Sequence, residues 1–244
     1  MQENSLTGRL KRYTNVSTAV GGLVARLVGD RYLGLSIKTP QHADELKDTL
    51  GHLKGPLMKM AQILASIPDM LPPEYATAFL ELQSNAPPMG WPFVKRRMQA
   101  ELGPGWQGHF QTFDPQACAA ASLGQVHKAV DHEGRLLAVK LQYPEMGAAV
   151  EADLKQLRFI LKSFEVMNGS LDTENLQHEI GDRLREELDY LREARHMKLF
   201  QDILKVFPAV QVPEVVDSLT TPRLLTMSWL EGQKLLRFKD APQE

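Results

Sequence analysis

The residues of this sequence best suited to chemistry are a run of small side chains and a lysine that follows it. The lysine is Lys140, which ends an apolar segment. The run consists of Ala119, Ala120, Ala121 and Ser122. Small side chains let backbone N–H groups approach phosphate oxygens, and a lysine on the third strand of the same sheet gives those oxygens a positive charge. The two features together predict a hairpin that covers the phosphates of a nucleotide.

An ordinary β-hairpin with a solvated lysine is the simpler alternative for the same residues. The polar turn 131–134 would join the two strands in either case, since it contains aspartate and glycine, which are typical of turns. The short spacing between the small-residue loop and Lys140 favours the phosphate-binding interpretation over the simpler one.

Composition limits the classes of protein to which the chain can belong. With 43% hydrophobic and 24% charged residues in 244, it has the composition of a globular protein. The net charge of −2 gives no general attraction to nucleic acid, so no nucleic-acid partner is expected. The single cysteine, Cys118, excludes an intrachain disulfide and is expected to be a small buried filler. The seven histidines lack zinc-ligand spacing, so no metal site is predicted within the chain.

The N-terminal residues 1–40 carry six basic side chains against two acidic ones. With the apolar residues between positions 16 and 28, they predict either a basic amphipathic segment on an anionic membrane surface or a helix that docks on the domain. No run of eighteen apolar residues occurs, so no transmembrane helix is predicted.

Residues 41–108 have the periodicity of helices. In the segment 42–67, apolar residues recur every three or four positions, and Lys59, Gln62 and Ser66 form a polar stripe expected to be a solvated face. A helix over 92–102 is predicted to end at Gly103 and to bury Phe93, with three exposed basic residues. These three are Lys95, Arg96 and Arg97.

The period changes near Phe110, where a sheet is predicted to begin. Strands are expected at 109–113, 125–130, 136–142, 210–216 and 223–229, with helices at 145–167 and 173–206 between the third strand and the fourth. In the second helix the predicted buried face is Ile180, Leu184, Leu188 and Leu191.

Carboxylates on the long helix 173–206 would ordinarily be solvated. Asp189 and Glu193 are four residues apart and are expected to share one face. A lysine buried under a phosphate loop needs an anionic partner, which makes these acidic residues candidates for pairing with Lys140.

These motifs, in this order across residues 50–235, resemble the UbiB or aarF-domain atypical kinases, a family linked to ubiquinone (coenzyme Q) biosynthesis in bacteria and mitochondria. The loop 119–122 resembles the alanine-rich loop of that family, and Lys140 its strand lysine. The resemblance implies that Glu193 pairs with Lys140 as a catalytic pair, and that Glu231 in the connector 230–232 joins the alanine loop in binding nucleotide.

Two further signatures of that family have counterparts here. Glu187 and Asp189 are similar to its ExD signature, and Lys59 with Gln62 to its KxGQ signature, which folds over the nucleotide cleft. The resemblance implies that Lys59 and Gln62 face Glu187 and Asp189 in a regulatory cleft. The solvated-face interpretation of Lys59 would then not hold.

The implied fold class is α+β, with a helical extension before a protein-kinase-like small lobe of five antiparallel strands. The expected domains are a basic arm at 1–40, a helical extension at 41–108, the small lobe at 109–232 and the start of a connector at 233–244. The expected ligand is ATP or ADP with Mg²⁺. Further expected partners are a membrane lipid or ubiquinone precursor and ubiquinone-biosynthesis proteins, in bacterial cytoplasm beside the inner membrane or on the mitochondrial matrix side.

The sequence departs from the family pattern at two places. Ala61 stands where the family has glycine, which a helical backbone would tolerate. No Asp-Phe-Gly or catalytic-loop motif occurs, so the Mg²⁺ ligands are expected in a large lobe beyond this chain, which is expected to be a fragment inactive by itself. The alternatives are a non-catalytic regulatory or lipid-binding scaffold and an unrelated α+β domain.

Overall fold

A computed structural model describes residue 59 and residues 88–120, 123–167 and 173–233. The predictions for the basic arm, for the helices between 41 and 87 other than Lys59 itself, and for Gln62, Ala121 and Ser122 lie outside the described residues. So does the connector from 234 onward. Lys59 is helical, as its periodic segment predicts.

Helices and strands follow one another in the described part of the chain. The helices are α1 (Trp91–Leu102), α2 (Met146–Met167), α3 (Thr173–Leu188) and α4 (Tyr190–Leu204). The strands are β1 (Thr112–Ala120), β2 (Gly124–Val130), β3 (Leu136–Gln142) and β4 (Leu224–Ser228). Short 3-10 helices lie at Trp106–His109 and Asp217–Leu219. The combination of helices and a sheet confirms the α+β fold class.

The four described strands form one sheet in the order β1-β2-β3-β4, one strand fewer than predicted. Strands β3 and β4 are antiparallel, and Lys140 is the register partner of Leu225. The prediction of a strand at 210–216 is wrong. Of these residues only Val215 forms a β-bridge, and it is an isolated one, to Met227. Pro213 has no N–H to donate, and the side-chain amide of Gln201 occupies its carbonyl oxygen at 2.9 Å. The segment therefore cannot form a continuous ladder.

The first strand begins later than predicted and continues through the alanines. Residues Trp106–His109 form a 3-10 helix, and β1 runs through Pro115 to Ala120. Because β1 is an edge strand of the described sheet, the missing N–H of Pro115 can be tolerated there. Ala119 and Ala120 therefore end a strand, and the prediction that they belong to a loop is wrong.

The edge position of β1 also changes the expected burial of Cys118. Its side chain is exposed, and its thiol donates to the carbonyl oxygen of Val126 at 3.3 Å. The prediction of a small buried filler is therefore wrong.

The helix predicted over 173–206 is interrupted at Asp189, whose N–H donates to the carbonyl oxygen of Glu186 at 3.1 Å. The interruption resets the helical phase, so Leu191 is 37% exposed and does not continue the buried face of α3. For the same reason the argument that Asp189 and Glu193 share one helical face does not hold.

The helix predicted over 92–102 is present, and Gly103 follows it with a φ of 85°. Phe93 is buried, as predicted, and so are Val94 and Met98. Arg97 is expected to be exposed, but its side chain is only 9% exposed and pairs with Glu101 at 3.1 Å.

The described chain divides into two compact units that interleave along the sequence. The first includes Gln142–Asp189, and its core is made by α2 and α3 through Val150, Leu154, Leu157, Ile180 and Leu184. The second includes Gly90–Cys118, Val126–Leu141 and residues from Tyr190 onward. Its core includes Tyr190, Ala194, Val215 and Leu225. The domain boundaries drawn from the sequence stay a prediction.

Candidate functional site

Lys140 and Glu193 form an ion pair in the second unit. The ammonium Nζ of Lys140 lies 2.8 Å from both carboxylate oxygens of Glu193. The two residues are 53 positions apart in the sequence, so the fold brings them together. The arrangement is the one that the family resemblance implies. The alternative of a solvated lysine does not hold, because the Lys140 side chain is only 23% exposed.

The same ammonium group also contacts a tyrosine ring. Nζ of Lys140 lies 4.7 Å from the centroid of the Tyr190 ring, within the range of a cation–π contact. Tyr190 is buried and begins α4, three residues before Glu193. Since residues three apart share a helical face, one turn of α4 supplies both contacts to Lys140.

Packing between α4 and the sheet fixes this geometry. Tyr190 and Ala194 form a buried cluster with Leu225 of β4. Leu225 is also the register partner of Lys140, so one residue connects the helix face to the strand position of the lysine. The sequence favours this local structure, since Glu193 lies in the first turn of α4, where a negative charge interacts favourably with the helix dipole.

The ammonium group keeps capacity for a further ligand. An ammonium has three N–H donors, and its two contacts with Glu193 use at most two of them. A partly exposed, charge-compensated lysine of this kind can donate to a phosphate oxygen without leaving its carboxylate unpaired.

Two predicted nucleotide-binding alanines lie at the end of β1. Ala119 is exposed and Ala120 is half-buried. The structure places them on a strand, while the remainder of the small-residue run lies outside the described residues.

Glu231, the other predicted nucleotide-binding residue, lies after β4 and its side chain is 78% exposed. Its Oε1 accepts a hydrogen bond from Nε1 of Trp229 at 2.7 Å and one from Nζ of Lys128 at 3.4 Å. The bond from Trp229, followed by that from Lys128, lowers the pKa of Glu231 below its ordinary value. Glu231 therefore contacts residues of its own unit.

In the first unit the predicted regulatory residues Lys59 and Glu187 are brought together. Nζ of Lys59 lies 2.5 Å from Oε1 of Glu187, and the Lys59 side chain is 25% exposed. The solvated-face interpretation is therefore wrong for Lys59. The other carboxylate oxygen of Glu187 is buried and has no hydrogen-bond partner among the described residues. Asp189 lies at the break between α3 and α4.

Sequence reasoning missed three side chains that belong to these arrangements. Tyr190 could have been found as the aromatic residue three positions before Glu193. Lys128 and Trp229 carry no comparable signal, because their contact joins β2 to the chain after β4, about a hundred residues later. Only the folded sheet brings these two together.

The described residues supply no group of three or more His, Cys, Asp or Glu side chains that could hold a metal ion. They also contain no helix with the length and hydrophobicity needed to cross a membrane. A Mg²⁺ site is therefore not assigned to any described residue.

A sheet whose third strand carries a lysine paired with a glutamate of a following helix is the arrangement of the small lobe of a protein kinase. A solved structure supports this class. The chain is similar to the structure described as the complex of Rv3197 with erythromycin from Mycobacterium tuberculosis, with a TM-score of 0.52 and 35% identity. The similarity covers 79% of this chain and 49% of the other.

Residues 81–244 match the ABC1 atypical kinase-like domain, and the chain belongs to that family, also described by the names UbiB and aarF. It is 34% identical to the mitochondrial atypical kinase coq-8 of Caenorhabditis elegans, over 83% of this chain and 27% of the relative. It is 30% identical to the mitochondrial atypical kinase COQ8 of Saccharomyces cerevisiae, over 98% of this chain and 50% of the relative. The chain therefore spans half or less of the length of these relatives.

A chloroplast protein is also similar. The protein ACTIVITY OF BC1 COMPLEX KINASE 1 of Arabidopsis thaliana is 33% identical over 79% of this chain and 29% of its own length. The names of these relatives place them in mitochondria or chloroplasts.

Proposed function

We propose that this chain binds the phosphates of an adenine nucleotide, ATP or ADP, through Lys140, and that it supplies the small-lobe half of an ATP-dependent phosphotransferase or ATPase. The observation that carries the proposal is the pairing of Lys140 with both carboxylate oxygens of Glu193. In phosphoryl transfer by kinases, a strand lysine held by a helix glutamate contacts the nucleotide phosphates.

Each residue has a separate role in this proposal. Lys140 donates to phosphate oxygens, while Glu193 and Tyr190 hold its ammonium in place. The alanine run 119–122 covers the phosphates with backbone N–H groups, an assignment that rests on its sequence alone. Lys59 and Glu187, with Gln62 and Asp189, form a regulatory cleft, for which the ion pair of the first two is the supporting observation.

Mg²⁺ would bridge and neutralise the phosphates when bound, as it does in kinases generally. The described residues offer no set of ligands for it, and the family resemblance implies that its ligands belong to a large lobe. No step of the proposal depends on the metal.

The relatives support a role in ubiquinone biosynthesis, since two of them are COQ8 proteins of mitochondria. We infer that the longer protein acts next to a membrane, where ubiquinone precursors and the proteins that process them would be its partners.

Calorimetric titration of the purified chain with ATP and ADP tests the proposal. Lys140→Met is expected to weaken nucleotide binding by about tenfold or more, because a charge-assisted hydrogen bond to phosphate is worth about 1.5–3 kcal/mol. Lys198→Met is the matched control, since Lys198 also contacts both oxygens of one carboxylate, that of Asp217, at 2.6 Å. The control is expected to bind nucleotide as the wild type does.

Equal affinity of Lys140→Met and the wild type would overturn the assignment of Lys140. Nucleotide binding without any turnover in the full-length protein would instead favour a scaffold that keeps the lobe for regulation.

A further inference from the structure

Helix α4 carries a second apolar face on the side opposite to its buried one. The buried side includes Tyr190 and Ala194, which cluster with Leu225 of β4. Leu199 and Ile203 lie nine positions after these two, which is two and a half turns and therefore the opposite side of the helix. The large apolar residues of this outer face, which continues into the turn after α4, are each 48–74% exposed: Leu199, Phe200, Ile203, Val206, Phe207 and Val210. A helix that is apolar on both sides is typically covered on both.

The area of this outer face is large for a monomer. About half of each of the six residues is open to water, roughly 100 Å² apiece, so the face offers on the order of 500–600 Å². Apolar patches of that size commonly mark a site of association. Two copies that meet through the outer face would bury about 1,000–1,200 Å² in total, which is the lower limit for a specific interface.

The spacing within the outer face fits a second copy of the same chain, because it is symmetric about Ile203. Leu199 and Phe200 lie four and three residues before Ile203. Val206 and Phe207 lie three and four residues after it. In an antiparallel pair of helices related by a two-fold axis, each position before the centre meets the position equally far after it in the partner. Every apolar residue of this set therefore meets an apolar residue of the other copy, and Ile203 meets its own counterpart.

The charges near the centre of the outer face are already paired within one copy. The charged residues within five positions of Ile203 are Lys198, Asp202 and Lys205. Lys205 pairs with Asp202, and Lys198 pairs with Asp217 at 2.6 Å. These pairs leave no net charge at the centre that would repel a second copy. They also leave no local basic excess of the kind that attracts an amphipathic helix to an anionic membrane.

We propose that the chain forms a two-fold symmetric dimer through this outer face, with α4 of one copy packed antiparallel against α4 of the other across Ile203. The dimer is separate from the proposed nucleotide binding, and neither proposal requires the other. An apolar interface of this small area is expected to have a dissociation constant on the order of 10 µM.

Sedimentation equilibrium of the purified chain, from about tenfold below to about tenfold above the expected dissociation constant, measures the self-association. Ile203→Glu is expected to weaken the dimer by at least about tenfold, because it places two carboxylates against each other at the two-fold axis. Leu136→Glu is the matched control, since Leu136 is 44% exposed but lies on β3, outside the outer face. The control is expected to dimerise as the wild type does.

Cysteine cross-linking tests the predicted register of the two helices. Cys118 is exposed, so it is first replaced with Cys118→Ser. In that background Ile203→Cys is expected to form an intermolecular disulfide on mild oxidation, because helices packed about 8–10 Å apart bring facing Cα atoms within the range of a disulfide. Leu136→Cys in the same background is expected to cross-link much more slowly.

A chain that stays monomeric over the whole concentration range overturns the dimer. So does a dimer that Ile203→Glu and Leu136→Glu leave equally tight, or one in which the two cysteine variants cross-link at the same rate. If the monomeric chain instead sediments with vesicles of phosphatidylcholine and phosphatidylglycerol, and Ile203→Glu abolishes this, the outer face belongs to a membrane contact and the dimer is overturned. Lys140→Met is expected to dimerise as the wild type does, so a failure of nucleotide binding leaves the dimer unaffected.

Discussion

Lys140 and Glu193 are joined twice, since Nζ of the lysine lies 2.8 Å from each carboxylate oxygen of the glutamate. Their side chains are 23% and 36% exposed, so water screens the pair only in part. Leu225 connects the two sides, as the register partner of Lys140 and as a packing partner of the helix that carries Glu193. The pair is thus held by packing as well as by charge.

A double-mutant cycle with Lys140→Met and Glu193→Gln is expected to show a coupling free energy of unfolding of about 0.5–1 kcal/mol. The same cycle on Lys198 and Asp217 is expected to give a smaller value, because those side chains are 46% and 71% exposed. Urea denaturation measures both cycles. A coupling as small for Lys140 as for Lys198 would show that partial burial adds nothing to the first pair.

Lys59→Met is expected to destabilise the chain more than Glu187→Gln does. With Lys59 removed, the carboxylate of Glu187 loses its contact at Oε1, while its other oxygen is already buried without a described partner. The loss is expected to be about 1–2 kcal/mol in the free energy of unfolding. Glu187→Gln keeps an amide oxygen that can still accept from Nζ of Lys59, so part of the contact survives in that variant. The reverse order of the two variants would contradict this account.

His127 is expected to make stability depend on pH. Burial lowers the pKa of His127 below its ordinary value of 6.5, although its hydrogen bond to the carbonyl oxygen of Asp114, at 2.8 Å, acts to raise it. Because a carbonyl only accepts, Nδ1 carries the proton of the neutral ring.

The direction of this pH dependence follows from proton binding in the folded and unfolded states. Between the lowered pKa and 6.5 the unfolded chain binds a proton that the folded chain does not, so stability falls as pH decreases through this window. The expected loss is at most about 1.4 kcal/mol per pH unit. His127→Asn keeps a donor for Asp114 but does not titrate. Urea denaturation at pH 7.5 and at pH 5.5 is expected to show a smaller loss for the variant, and equal losses would exclude His127 as the cause.

The hairpin and the helix over 92–102 could be predicted because their signals are local. Lys140 is the one charged residue of the apolar strand β3, and Gly103 marks a helix end, so neither prediction needs knowledge of distant residues. The pairing of Lys140 with Glu193 is implied by the family resemblance and not by helical spacing, because the helix breaks at Asp189 after α3.

Features that depend on distant partners could not be predicted. The interruption at Asp189 has no proline or glycine to mark it. The strand expected at 210–216 has suitable apolar residues, but the carbonyl groups of Val212 and Pro213 accept from the side chain of Gln201 on α4. The burial of Arg97 depends on Glu101 and, through it, on Thr221, which is 120 residues away from Glu101 in the sequence.

Glu101 is the centre of this last network and carries the strongest stability prediction. Its Oε1 accepts from Arg97 at 3.1 Å and its Oε2 from the hydroxyl of Thr221 at 2.7 Å. The Arg97 and Glu101 side chains are only 9% and 10% exposed. Glu101→Ala is expected to cost about 2–4 kcal/mol in the free energy of unfolding, because it removes one partner of a buried ion pair.

Two further variants separate charge from packing at this position. Thr221→Val removes the hydrogen bond to Glu101 and a longer one accepted from the N–H of Arg223 at 3.3 Å, and it is expected to cost about 1 kcal/mol. Replacing both charges, with Arg97→Met and Glu101→Met together, is expected to cost less than Glu101→Ala alone, since no buried charge is then left unpaired. If the double replacement proves as damaging as the single one, the methylene packing of the two side chains matters more than the pairing of their charges.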